Sequence, residues 1–302
     1  MNYKVGALLF AVLVFSLTAN AQNKYEADIN EWRAKYEERL VSNDGWLTVA
    51  GLSWLKDGEN TVGVGKGFDI QLTENFKNNK FGTIKHEKGI TTLKLAHGVN
   101  AVSSGKEFSQ IDLQSDTSGK PTVIQTGTQS FYLIEREGRL GVRVKDTNSR
   151  FRQSYSGLDW FPVDQRYLVK AKYERFVEPQ NVAVPNVLGT TFTMKSPGIL
   201  KFIIDGISYE LQPVIEGDSK KFFIIFRDET ARTSTYGGGR FLYADIPETG
   251  DEVILDFNKA YNPPCAYTPF ATCPLPPPHN RLTIELPVGE KRYASLKDSA
   301  KK

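Results

Sequence analysis

Residues 131–145 read FYLIEREGRLGVRVK. Residues 131–136 and 139–145 each alternate with a period of two, and Glu137-Gly138 between them has the composition of a tight turn. In the second arm Leu140, Val142 and Val144 share one face, with Gly141, Arg143 and Lys145 on the other. That alternation is what a half-buried antiparallel hairpin requires. Working outward, segments of the same period recur at 67–72, 89–96, 167–176, 190–194, 199–204, 207–211, 222–226, 240–244, 252–257 and 281–286. They follow one another at roughly 8–12 residues, with Gly, Asn and Asp between them. The pattern predicts an all-β fold of many antiparallel strands, sandwich-like or barrel-like.

One helix interrupts this reading. Ile29, Trp32, Tyr36 and Leu40 recur at spacings of three and four and so share a face. Asp28 with Glu31 reads as a capping pair, and Glu31 with Lys35 as an i,i+4 contact. The helix is expected to close a sheet.

Upstream, one positive charge at Lys4 precedes an uncharged apolar run at 5–18, and Ala19-Asn20-Ala21 supplies small residues for cleavage. This predicts a secretory signal at 1–21 and a mature chain from Gln22, exported to the periplasm or the exterior. The run is short for a bilayer span of roughly 20 residues, and no later segment is long enough. Residues 22–302 read as a single β domain, with a candidate subdivision near 178–186, where two prolines fall. The chain carries 38 Lys and Arg against 35 Asp and Glu, a net charge of +3. Such near-balance argues against a nucleic-acid partner, which needs a clustered positive field.

Residues 256–282, DFNKAYNPPCAYTPFATCPLPPPHNRL, differ from everything else in the chain. Seven of the 15 prolines fall there, together with both cysteines. Proline fixes φ and removes a donor, so the stretch is expected to be a long rigid loop. Asp256, Asn258, Tyr261, Asn262, Asn280 and Arg281 are interleaved with the prolines. They serve either a ligand or the loop's own backbone groups, which lack ladder partners. Asp256 and Arg281 flank the segment and are expected to pair at its mouth.

This block resembles the hallmark of a family of bacterial and archaeal proteins of unknown function, DUF1684. Further similarity lies in GWLTVAGLSWLKDGENTVG (45–63), SGLDWFP (156–162), FIIFRDETARTSTYGGGRFLYAD (223–245), VGEK (288–291) and the Trp32-Arg33 pair. The resemblance covers most of the chain beyond residue 21 and implies candidate positions without a reaction. His279 departs from it, standing where the family pattern is acidic, which argues against an essential imidazole.

Asp228, Asp256 and Glu290 are candidates for acid–base work, with Glu285 a further carboxylate. Tyr236 and Arg240 bracket a glycine-rich turn that lacks the Lys-Ser/Thr of a phosphate loop. Arg240 suits an anionic group, and Trp46 and Trp54 serve either as core anchors or as stacking surface. A pocket for a small polar molecule is expected among the proline-rich loop, the 236–240 turn and the 45–55 segment. Cys265 and Cys273 admit three readings: a disulfide, buried thiols, or a metal site with His279. No cofactor is called for and no metal site is chosen. The histidines His86, His97 and His279 lack triad context, and no Gly-x-Ser-x-Gly elbow occurs. A hydrolase-type enzyme, a non-catalytic carbohydrate or small-molecule binder, and a structural envelope protein all remain open.

Overall fold

The computed structural model describes residues 3–73 and 79–294, with side chains from Gln22 onward. The side chains of the expected signal, 1–21, lie outside the described residues. The chain forms two compact units. One, the hairpin unit, takes Arg39–Ser156, Pro264–Cys273 and Ala294–Lys302. The other, the helix unit, takes Met1–Glu38, Gly157–Pro263 and Pro274–Tyr293.

The hairpin unit contains β1 (Val49–Trp54), β2 (Gly58–Val64), β3 (Ile70–Leu72), β4 (Lys80–Glu87), β5 (Ile90–Leu95), β6 (Val102–Ser103), β7 (Lys106–Glu107), β8 (Gln110–Asp112), β9 (Ile124–Thr126), β10 (Gln129–Arg136) and β11 (Arg139–Asp146). A six-stranded sheet runs β1-β11-β10-β9-β6-β7 and a five-stranded one β3-β2-β4-β5-β8. All pairings are antiparallel except β2 with β3. The founding hairpin is β10–β11, with Arg136 opposite Arg139 across Glu137-Gly138. Its Phe131, Leu133, Val142 and Val144 meet Val62, Ile70, Phe81, Ile84 and Leu93 of the other sheet in one core. The Phe81 and Phe131 rings join edge to face at 5.5 Å. Alternation along each strand therefore produces a sandwich.

The helix unit begins with α1 (Tyr3–Val41), which buries Ile29 and Leu40 and half-buries Trp32 and Tyr36, so the face read from the sequence is the packed one. Asp28 does not cap it. The helix continues upstream, and Asp28 instead pairs with Lys24 at 2.8 Å, while the Glu31–Lys35 contact is present. The strands are β12 (Leu168–Pro185), β13 (Thr191–Ile204), β14 (Ile207–Leu211), β15 (Lys221–Phe226), β16 (Arg240–Asp245) and β17 (Glu252–Asp256). They form a sheet β14-β13-β12-β17 and a ribbon β15-β16. Val169, Ala171, Leu200, Phe202 and Leu255 bury against Phe222, Ile224, Phe226 and Leu242.

Residues 178–186 do not separate the units. They form the far half of β12 and its turn, and pairing with β13 lapses between Arg175 and Gln180, the stretch that holds Pro179. Proline has no N–H to give to a ladder, so the strand bulges there and resumes. The segments 190–194 and 199–204 accordingly belong to one strand.

The segment 281–286 is not a strand, despite its alternation. Leu282, Leu286 and Val288 do enter the core, but Arg281 makes only a single bridge, to Arg227. The proline-rich segment itself consists of short 3-10 turns at Phe257–Lys259, Pro264–Ala266 and Pro278–Asn280, joined by isolated bridges.

Candidate functional site

Polar residues of 256–263 and 274–293 and their partners gather into separate groups inside the helix unit. The first is built on Asp228 and Arg240, each about 1 % exposed at the side chain. Asp228 lies two residues beyond β15 and caps a 3-10 turn, its Oδ1 accepting from Thr230 N at 3.0 Å and from Leu286 N at 3.2 Å. Arg240 opens β16, donating through Nη2 to Asp228 Oδ2 at 2.6 Å and to Leu286 O at 3.0 Å, and through Nη1 to Val288 O. Its guanidinium also lies over Phe226. This explains why 281–288 looks like a strand without completing one: Leu282 N and Ile284 O still bond the backbone of Arg227 and Glu229, but from Leu286 to Val288 a buried ion pair takes the place of a ladder.

The glycine-rich turn before Arg240 has a steric cause. Gly239 has φ +93°, and a Cβ there would stand 2.5 Å from Pro276 Cγ and 2.6 Å from Phe226 O. Only glycine accommodates both constraints. Tyr236 is half-buried at the start of that turn, whose Gly239 N donates to Tyr236 O at 3.0 Å.

The second group joins α1 to the start of the proline-rich segment. Tyr25 OH donates to Asp256 Oδ1 at 2.7 Å and accepts from Asn258 Nδ2 at 2.9 Å. Asn258, fully buried, closes a reciprocal pair with Asp164: its Nδ2 donates to Asp164 O at 2.9 Å, and its Oδ1 accepts from Asp164 N at 2.8 Å. Asp256 also accepts from Asn258 N at 3.2 Å and pairs with Lys259 at 3.2 Å. Burial, then the bond to Asp256, pushes the Tyr25 phenol far above its usual range. Arg33, buried on the same helix, donates to Phe161 O at 3.1 Å and lies 4.9 Å over the Trp160 ring. Burial draws its ionisation down, against the opposing charge of Asp256.

In the third group Asn262 grips Glu290, both fully buried. Its N and Nδ2 donate to the two carboxylate oxygens at 2.8 and 2.6 Å, and Nδ2 also reaches Lys291 O at 2.8 Å. Asn262 Oδ1 is buried and without a partner.

The expected pair of Asp256 with Arg281 does not form. Arg281 is exposed and makes no ion pair among the described residues, because alternation with the buried Leu282 turns its side chain to solvent. Asn280 is likewise architectural. Its Oδ1 accepts from Gln212 N at 2.8 Å, and its Nδ2 donates to Gln212 O and Ile225 O at 3.0 Å. Trp46 belongs to the hairpin unit, where Arg143 lies 5.2 Å over its ring; Trp54 holds Arg139 there in the same way at 4.4 Å. Cys265 and Cys273 are free thiols, unbridged but in contact, with Cys265 N donating to Cys273 Sγ at 3.1 Å. His279 is exposed.

What the sequence reading missed is a run of rings. Trp32 and Tyr36 stack at 5.7 Å, with Trp160 edge-on to both at 6.0 Å. Tyr261 adjoins Tyr36 at 5.0 Å, and Tyr243 stacks on Tyr261 at 6.4 Å. All are partly exposed, Tyr243 the most at 38 %. Glu37 accepts from Trp160 Nε1 at 3.2 Å, and Glu216 from the Tyr243 hydroxyl. The helical period puts Trp32 and Tyr36 on the face expected to close a sheet, and nothing local ties them to Trp160 or Tyr243.

The hairpin unit has a cleft of about 270 Å³ lined by Ile90, Thr91, Asp112, Ser115, Leu133 and Glu135. Its carboxylates are occupied by hydroxyls, Asp112 by Thr92 at 2.6 Å and Glu135 by Thr117 at 3.1 Å. None of the candidate catalytic or ligand-binding residues named from the sequence lines it.

The sequence model of DUF1684, a family described as proteins of unknown function, matches residues 153–291, the span that carries the first and third polar groups, the Asp164, Asp256 and Asn258 members of the second, and the rings from Trp160 onward. The chain belongs to this family. A solved structure, the NMR structure of an uncharacterized protein of Haloarcula marismortui, is 33 % identical over 46 % of this chain and 78 % of that one, with a TM-score of 0.40. No curated protein matches the chain. Among the described residues, no helix of this DUF1684 protein is long and apolar enough to cross a membrane.

Proposed function

We propose that the protein is an exported, non-catalytic binding module for a small polar ligand with an apolar face, a soluble saccharide being the fitting class. The observation that carries this reading is the partly exposed run Trp160, Trp32, Tyr36, Tyr261 and Tyr243. Ring faces supply large contact area at low entropic cost, and polar groups at the rim set orientation. Glu37, Glu216 and the Tyr243 hydroxyl are such groups. The hydrolase alternative finds less support. Asp228 is consumed by Arg240 and backbone, Asp256 by Tyr25 and Lys259, and Glu290 by Asn262. An acid–base pair needs a carboxyl group within reach of substrate.

The test is titration of the protein with a panel of soluble mono- and oligosaccharides, followed by calorimetry. Tyr243→Ala, at the most exposed ring, is expected to weaken binding about tenfold, equal to about 1.4 kcal/mol, and to leave the melting temperature nearly unchanged. An empty panel on folded wild-type protein overturns the reading. For export, secreted material is expected to have the intact mass of a chain starting at Gln22; a retained residue 1–21 segment contradicts it.

A further inference from the structure

The hairpin unit holds a group that the binding reading does not use. Pro264–Ala266 forms a 3-10 turn, and Thr268 Oγ1 anchors the loop to Val49 O at 2.8 Å. This fixes Cys265 against Cys273, with the Cys265 amide 3.1 Å from Cys273 Sγ. The two thiols differ in access: Cys273 is 4 % exposed, whereas Cys265 is only partly buried.

Beside them lies Arg143, whose environment is unusual for a guanidinium. It is 4 % exposed, rests over the Trp46 ring at 5.2 Å, forms no ion pair among the described residues, and has an Nε with no partner. Its Nη2 reaches only Thr272 Oγ1, at 3.4 Å, next to Cys273 in the chain. Arg136 approaches the same hydroxyl at 3.3 Å, but Asp116 neutralises it at 2.8 Å. Arginine stays protonated, and the Trp46 ring offsets only part of the cost of burying it, so a guanidinium without a carboxylate partner favours an anion forming nearby. The groups placed to become that anion are the thiols.

We infer that Cys265 and Cys273 constitute a redox-active dithiol that exchanges with small disulfides, Cys265 attacking and Cys273 resolving, with Arg143 holding the attacking sulfur as thiolate. The more accessible sulfur, Cys265, is also the more acidic one, although the Cys265 amide and Arg143 both favour charge on Cys273 as well. The hydrogen bond from Cys273, helped by Arg143, holds the Cys265 thiol below its usual range, and that same bond together with burial pushes Cys273 up. In the first step the Cys265 thiolate attacks one sulfur of a disulfide RSSR, forming a mixed disulfide and releasing RS⁻. The Cys273 thiol then gives up its proton and attacks the Cys265 sulfur, releasing the second RS⁻. One disulfide is reduced to two thiols, and two protein thiols are oxidised to one disulfide, the protein protons passing to the released thiolates.

The experiment uses the whole chain, reduced and then exposed to oxidised glutathione, with thiol counting and intact mass. Wild type is expected to lose both free thiols without a lasting adduct, and to regain them in reduced glutathione. Cys273→Ser should trap one glutathione on Cys265, and Cys265→Ser none. Arg143→Met should slow iodoacetamide labelling of the reduced Cys265 at pH 7 by about tenfold, the scale of a neighbouring charge on thiolate population, with Arg143→Lys restoring much of it. If wild type keeps two free thiols and Cys273→Ser takes no adduct, the inference is overturned. A bridge that resists a large excess of reduced glutathione overturns it too, because that is a structural disulfide. Neither result bears on saccharide binding in the helix unit.

Discussion

Arg240 Nη2 lies 2.6 Å from Asp228 Oδ2 with both side chains about 1 % exposed, and between them the two residues hold the amide of Leu286 and the carbonyls of Leu286 and Val288. The pair acts as a substitute strand. A buried ion pair is weak evidence of net stability, since desolvation offsets attraction, but removing one partner strands the other. Arg240→Met is expected to destabilise the protein by about 3–5 kcal/mol, and Asp228→Asn to cost less because the amide still fills the site. Urea unfolding of both, and of the double variant, checks this. The double variant should cost clearly less than the two singles added together.

Asn280 gives a cleaner separation of architecture from binding. Its three bonds all go to backbone groups of Gln212 and Ile225. Asn280→Ala leaves those groups buried without partners, at about 1–3 kcal/mol of desolvation. The expected outcome is a lower melting temperature with unchanged affinity for any ligand that Tyr243→Ala weakens. An affinity loss at Asn280 in a still-folded variant would make it a ligand contact.

The fold was legible because its decisive signal is local. The 131–145 alternation fixes which faces of β10 and β11 are buried, and Ile29 with Leu40 fixes the face of α1. The segment 281–286 shows where that logic ends. Alternation reports which side chains are buried, not whether the backbone finds a ladder, and Asp228 and Arg240 are more than 40 residues away in sequence. The polar residues of 256–282 were recognisable as a set, but their partners Tyr25, Asp164, Gln212 and Ile225 come from other elements. Asn280 and Arg281 are adjacent in sequence, yet one is buried and the other exposed. The rings of Trp32, Tyr36, Trp160 and Tyr243 likewise meet only in three dimensions.

The hairpin unit should show an acid limb at Asp69. Its carboxylate accepts from Lys56 Nζ at 2.7 Å and from both Thr61 N and Oγ1 at 2.8 Å, joining the start of β3 to β2. The Lys56 bond, then the Thr61 amide, hold its pKa at about 2, against a usual 3.8. A depressed carboxylate stabilises the fold above its unfolded pKa, and that contribution fades as pH falls through the folded value. Thermal melts between pH 4 and 2 should therefore fall less steeply in Asp69→Asn than in wild type. Because the pair is largely exposed, the difference will be small and will shrink with salt.

At the other end of the pH scale the helix unit should lose stability through Tyr25. Its hydroxyl donates to Asp256 and accepts from Asn258, and ionisation would set a phenolate against a carboxylate inside a half-buried site. Burial and that bond raise its pKa well above 10. A raised acid contributes fully below its unfolded pKa, and the contribution is lost as pH climbs from there toward the folded value. Tyr243 and Tyr293 are shifted the same way, burial first in each, so the alkaline limb is shared. Tyr25→Phe removes one member while leaving the ring. It should cost about 1 kcal/mol at pH 7, where Asp256 Oδ1 and Asn258 Nδ2 each lose a partner. Above pH 10 its stability should decline less steeply than wild type, so the two curves converge. Parallel curves through pH 11 would mean that the Tyr25–Asp256 bond does not govern the alkaline limb.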